Sequence, residues 1–265
     1  MQPWRAVLVL ALFAPVASGA AEKMKPEEVV AHHLDAVGPA EARAAARGVE
    51  GSCMMSAPSG GVAGQLVGRF RLDSEPGRFV LEMKFSSEGY SAETFGLEAG
   101  KPRVGFVLPG RRSALGNFVN TNDAILREGL LGGVFNAGWP LLALQERGAK
   151  VAYDGLKKLE GRELHRLRYR AKKGQGDLEV FLYFEPDTFR HVASVYKTSQ
   201  AQQLGLTMES SSSQPDVYLQ LTETFGDFKS AKGLNVPSTW TIRDEMQAKV
   251  TQHWKYDMAA ETLGK

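Results

Sequence analysis

The chain has 265 residues, 43% of them hydrophobic and 23% charged, with 32 Lys and Arg against 30 Asp and Glu. That composition excludes wholesale disorder, and 28 Gly without a fixed period and 12 scattered Pro exclude collagen-like and long coiled-coil architectures. A formal charge of +2, with both signs interleaved as in Arg162-Glu163 and Arg243-Asp244-Glu245, excludes a phosphate-binding stripe, so no nucleic-acid partner is expected.

Residues 1–20 stand apart from the rest. One positive charge at Arg5, an apolar run over 6–16 and the small residues Ala17-Ser18-Gly19-Ala20-Ala21 form the three parts of a secretory leader, with cleavage expected after Gly19 or Ala20. The run is too short for a bilayer-spanning helix, which needs about 20 apolar residues. The mature chain, 21–265, is then expected to be free in solution and monomeric. Its only cysteine, Cys53, can form neither an internal disulfide nor a thiolate metal site.

Lys25-Pro26-Glu27-Glu28 opens a helix in which Val30, Leu34 and Val37 recur at helical spacing until Gly38-Pro39 ends it. From residue 48 the period changes to two. Alternation predicts strands over 66–73 and 78–85, a hairpin turning at Ser74-Glu75-Pro76-Gly77, and a second pair over 90–97 and 103–108. Residues 121–147 interrupt the rhythm with a Leu-rich, Gly-punctuated, charge-poor stretch that predicts a helical insertion. Strands resume over 150–159, 162–171, 178–185 and 189–196, and again over 217–225, 238–243 and 247–256. The serine-rich run 210–215 reads as a surface loop. The expected class is α+β: a single curved antiparallel sheet with a few covering helices.

No catalytic signature is present. There is no Gly-x-Ser-x-Gly elbow, no phosphate loop and no His-Glu-x-x-His helix, and neither a metal, a cofactor nor an enzymatic activity is expected. His32 and His33 are neighbours on a helix and point about 100° apart, which suits a surface or half-buried pair better than a metal site. His165, His191 and His253 are assigned no chemistry. The informative feature is an excess of apolar side chains on strands: Leu178, Val180, Leu182 and Phe184 fill one face of their strand while Phe181 and Tyr183 occupy the other. A long sheet with so few helices to cover it leaves a hollow suited to an apolar ligand.

Three stretches carry a likeness: the leader and helix ending in Gly38; Leu159-Glu160-Gly161-Arg162-Glu163-Leu164 through Glu185-Pro186-Asp187-Thr188-Phe189; and Phe225-Gly226-Asp227-Phe228-Lys229 with Gly233-Leu234-Asn235-Val236-Pro237. In their order the chain resembles the outer-membrane lipoprotein carrier (LolA/LolB-like) superfamily of periplasmic proteins. The resemblance implies an unclosed barrel with a helical lid that binds acyl chains inside. It makes Phe70, Leu72, Phe79, Leu81, Met83, Phe181 and Tyr183 candidate lining residues, with Ile125, Leu126, Leu130, Leu131, Phe135 and Trp139 in the lid. The implied role is a periplasmic carrier of lipid or lipid-modified polypeptide that exchanges cargo with a membrane-bound donor or acceptor protein. The alternative is an envelope-sensing module that grips a partner peptide on the same concave surface.

Overall fold

The computed structural model describes residues 24–45, 48–56, 65–199, 218–246, 249–259 and 263. The expected leader and the serine-rich run lie outside them. Helix α1 (Pro26–Val37) starts where proline's missing N–H costs nothing, and Glu28 accepts the Lys25 N–H at 2.9 Å. Val29, Val30, His33 and Val37 form its buried stripe. Gly38 ends it at φ +134°, and a Cβ there would lie 2.7 Å from the Gly233 carbonyl oxygen, so only glycine lets the chain pass. The short helix α2 (Ala40–Ala45) follows.

The first meander comprises β1 (Gly48–Ser56), β2 (Gln65–Glu75), β3 (Arg78–Phe85), β4 (Ala92–Glu98) and β5 (Lys101–Val104). A second contains β6 (Lys150–Leu159), β7 (Arg162–Arg170), β8 (Glu179–Phe184), β9 (His191–Ser199) and β10 (Tyr218–Gly226). A small hairpin, β11 (Lys229–Ala231) with β12 (Leu234–Val236), leads to β13 (Thr239–Met246) and β14 (Lys249–Met258). Twelve strands make one antiparallel sheet in the order β5-β4-β3-β2-β1-β14-β13-β10-β9-β8-β7-β6. Strands β14 and β1 join the meanders at its centre, while β5 and β6 stay apart as edges, so the sheet is not closed. The α+β class and the unclosed antiparallel architecture are as the sequence predicts.

Several bounds differ from expectation by a few residues, and β1 is a strand that the alternation did not predict. Strand β1 has no strong hydrophobic period because Gly51 stands on its inner face, where a Cβ would meet the Asp257 carbonyl oxygen at 2.1 Å. Strand β5 stops at Val104, short of residue 108, because Leu108 bridges to Arg111 around the Pro109-Gly110 turn. Strand β9 starts at His191, not at 189, since Phe189 sits in the turn at φ +53° and donates its N–H to the Glu185 oxygen.

Register gives the concave face its composition. One row across the sheet reads Phe225, Trp240, Tyr256, Cys53, Gly68 and Phe85. Its neighbour reads Leu167, Leu182, Ser194, Glu223, Ile242, Trp254 and Met55. Trp240 stacks on Tyr256 with centroids 4.4 Å apart, and both are fully buried. Away from β7–β9 the convex face is mostly polar, carrying Arg69, Arg71, Glu82, Lys84 and Arg243.

Candidate functional site

The connection between β5 and β6 crosses the concave face as a lid. It contains α3 (Ala114–Thr121), α4 (Ala124–Arg127), α5 (Leu144–Arg147) and single 3-10 turns at Gly133–Phe135 and Pro140–Leu142. Helical structure thus begins at Ala114, before the expected insertion at 121. Ser113 caps α3 by accepting the Gly116 N–H at 2.8 Å. Ile125, Leu126, Leu130, Leu131, Phe135 and Trp139 are all buried, none more than 6% exposed. The lid's own side chains therefore occupy the hollow expected from the sequence. At Gly132 a Cβ would lie 3.2 Å from Leu72, 3.9 Å from Trp240 and 4.0 Å from Phe79; at Gly133 it would meet Phe225 at 3.0 Å.

Of the lining candidates, Phe70, Leu72, Phe79, Leu81 and Met83 share one apolar core with those lid residues. Phe181 and Tyr183 do not. They belong to a separate cluster with Leu164, Val192, Ala193 and Val195 on the convex face, where the Arg166 guanidinium lies 4.7 Å from the Phe181 ring centre. On β8 it is Val180, Leu182 and Phe184 that face the lid. Parity alone could not choose, because β8 is apolar on both faces.

The lid is pinned by polar groups that the sequence reading missed. Glu223, fully buried on β10, accepts the Gly132 N–H at 2.9 Å, the Trp240 Nε1–H at 3.0 Å and the Tyr196 hydroxyl at 2.5 Å. The same hydroxyl reaches the Leu130 carbonyl oxygen at 3.2 Å. Burial pushes the Glu223 carboxyl up to about 7, and among the described residues no cation pairs with it. Burial and the neighbouring Glu223 hold the Tyr196 phenol well above its ordinary range, so it stays protonated. Near the lid's start, Glu93 accepts from Ser113 Oγ and Tyr90, and burial pushes it up to about 7 as well.

Farther along, Ser74 Oγ accepts the Ala137 N–H at 2.7 Å and donates to Asn136 Oδ1 at 3.3 Å. Tyr169 donates to Glu128 at 2.6 Å. One signal in the sequence could have found several of these residues: Ser74, Glu93 and Glu223 each stand at the core-facing parity of their strands, between or beside apolar residues.

His33 is buried outright, not surface or half-buried as expected, because α1 lies against the lid and the β8–β9 turn. Its Nε2 accepts the Trp139 indole N–H at 3.2 Å, and its Nδ1 lies 3.1 Å from the Phe189 oxygen. Burial lowers it from an ordinary 6.5 to about 4, and His191 is lowered too, by burial and then by His33. A histidine held neutral contributes stability above its unfolded value and loses it as pH falls from 6.5 through 4. Between those pH values His33→Gln is therefore expected to lose less stability than the wild type, measured by urea midpoints. The raised carboxyls act in the opposite sense in both proteins and cancel in the comparison. Equal acid slopes would contradict this account of His33.

Free space bordering the described residues includes a groove of about 290 Å³ along β3, β4 and the edge strand β5, lined by Phe79, Val80, Leu97 and Val104 among others. A crevice bounded by Leu34, Val37, Arg43, Asn136, Trp139 and Leu234 measures about 20 Å³, room for about one water and not for an acyl chain. A cavity of about 690 Å³ beside α3 is lined by polar residues including Asn117, Asp123, Gln175, Asp177 and Thr198. Among the described residues there is no cluster of three His, Cys, Asp or Glu side chains fit to hold a metal, and no helix long and apolar enough to cross a membrane.

No protein-family model matches the chain, and no curated protein matches it in sequence. Solved structures do. A LolA superfamily protein from Nitrosomonas europaea is similar with a TM-score of 0.50 at 10% identity, covering 89% of this chain and 92% of that one. A domain described as an outer membrane lipoprotein-sorting protein domain from Vibrio parahaemolyticus gives 0.44 at 10% identity, over 88% of this chain and 91% of that one. A DUF1329 family protein from Desulfovibrio piger gives 0.43 at 11%, over 88% and 90%. The chain has a LolA-like fold.

Proposed function

We propose that this protein is a periplasmic binding or carrier protein for lipid or lipid-modified polypeptide, and that acyl chains occupy the concave face in place of part of the lid. One observation carries the reading: the apolar face is covered by a broken, Gly-punctuated connection, not by a continuous helix. Gly129, Gly132 and Gly133 all adopt positive φ there, and the helical pieces on either side of them are a turn or two long. Exchanging lid side chains for an acyl chain swaps one apolar contact for another.

Magnitudes decide how much of the lid moves. Exposing Ile125, Leu126, Leu130, Leu131, Phe135 and Trp139 to water would cost about 10–20 kcal/mol, at roughly 1.5–3 kcal/mol each. Withdrawing an acyl chain of about a dozen methylenes from water returns about 10 kcal/mol. A single chain thus supports partial displacement, centred on the glycine-bearing stretch 129–139. The function needs no cofactor, and the chemistry is binding, not turnover.

Gently purified protein is expected to yield acyl lipid in an organic extract and to take up an uncharged fluorescent acyl probe that unlabelled lipid displaces. Protein that carries no lipid and takes up no probe would remove the reading. A stoichiometric protein partner retained after delipidation would favour recognition of a partner peptide on the same surface instead.

A further inference from the structure

The lid touches the floor of the concave face through its backbone as well as its side chains. At its middle, the Leu130 carbonyl shares the single proton of the Tyr196 hydroxyl with Glu223 and the Gly132 N–H donates to Glu223, while Leu130 and Leu131 pack into the apolar core. A carbonyl followed two residues later by an N–H, with aliphatic groups attached, is the outline of an acylated amino acid amide. The protein's own chain occupies that position as a tethered stand-in.

Resting on the acyl-binding reading above, we propose that Glu223 and Tyr196 are specificity-determining residues of the concave face. They select an acyl chain bearing an uncharged peptide-like group over one ending in a carboxylate. The geometry supplies the reason. In the floor row, running Leu182, Ser194, Glu223, Ile242 and Trp254, Ser194 Oγ lies 3.1 Å from His191 Nε2, and Glu223 with Tyr196 is the carboxyl–hydroxyl pair that a polar ligand group meets beneath the middle of the lid. Glu223 and Tyr196 are 0% exposed and anchored by Trp240 and by each other, so both stay in position when the lid leaves. A ligand N–H replaces that of Gly132 and a ligand carbonyl replaces that of Leu130. A ligand carboxylate instead brings a second negative charge to an acceptor with no cation beside it, which a low-dielectric site penalises. An ester in the same position lacks the N–H and leaves the carboxyl short of a donor.

The test uses the mature chain and three ligands of equal chain length at pH 8: N-palmitoylglycine N-methylamide, its methyl ester and free N-palmitoylglycine, each competing with one fluorescent probe. Wild type is expected to bind the amide at least about tenfold more tightly than the other two, as a hydrogen bond to a charged group implies. Glu223→Gln keeps an acceptor for the amide N–H and adds a donor for the carboxylate, so it should bind the free acid to within about threefold of the amide. Tyr196→Phe is the second variant: it should weaken the amide and the ester together by several-fold, since both use the carbonyl. Equal binding of all three ligands by wild type overturns the proposal and leaves acyl binding standing. Failure of wild type to bind any of them overturns both.

Discussion

Replacing Gly129 by valine is expected to loosen the lid around 129–139 while the sheet stays folded, at a cost to lid docking of about 4 kcal/mol. Gly129 sits at φ +68°, and a Cβ on it would fall 2.1 Å from the Gly138 carbonyl oxygen and 3.0 Å from the Gly138 Cα. Both neighbours are backbone, so no side-chain rotation relieves the clash. The same close approach holds the turn where Trp139 donates its N–H to the Asn136 oxygen at 2.7 Å and Arg147 reaches the Gly138 oxygen at 2.8 Å. Gly77→Ala is the matched control. Gly77 has φ +78° but open space where a Cβ would go, so alanine there costs only the conformational term, about 1 kcal/mol. Hydrogen exchange should show amides of 129–139 losing protection in Gly129→Val while those of β13 and β14 keep theirs. Equal protection of the lid in the two variants would refute this view of its packing.

Much of the sheet was legible because period-two alternation follows directly from strand geometry. Phe79, Leu81, Met83 and Phe85 announce β3, and the turn chemistry of Glu75-Pro76-Gly77 fixes its hairpin. Strand β1 was not legible, since Gly51, Cys53 and two methionines give a weak pattern where backbones approach closely. The face of β8 turned toward the lid was likewise undetermined: Phe181 and Tyr183 are as apolar as Val180 and Leu182, and only the register with β7 and β9 separates them.

The site divides in the same way. The residues proposed for the lid stood out as a greasy stretch, and they are buried against the sheet. What that stretch covers could not be read from it, and the expectation of an empty hollow failed because the covering segment supplies its own filling. The polar pins were visible only as exceptions. Glu223 stands between Leu221 and Phe225 on the core-facing side of β10, and Glu93 stands beside Phe95 on β4. A carboxylate at a core parity with no cation nearby is costly unless several donors converge on it. Which donors converge is a property of the assembled sheet and lid, not of any local stretch.

The central claim is that ligands reach the concave face only when the lid moves away from β2. Cysteines at both positions of the Ser74–Asn136 contact, where the side chains meet at 3.3 Å, test it directly. The oxidised Ser74→Cys/Asn136→Cys protein ties the lid to the sheet. Cys53 does not compete, because it is buried and its thiol is pushed up to about 12. With an uncharged fluorescent acyl probe, the oxidised form is expected to bind at least about a hundredfold more weakly than the same protein after reduction, since a closed lid removes the binding-competent population. Equal uptake by the oxidised and reduced forms would contradict the claim and place the acyl site elsewhere on the molecule.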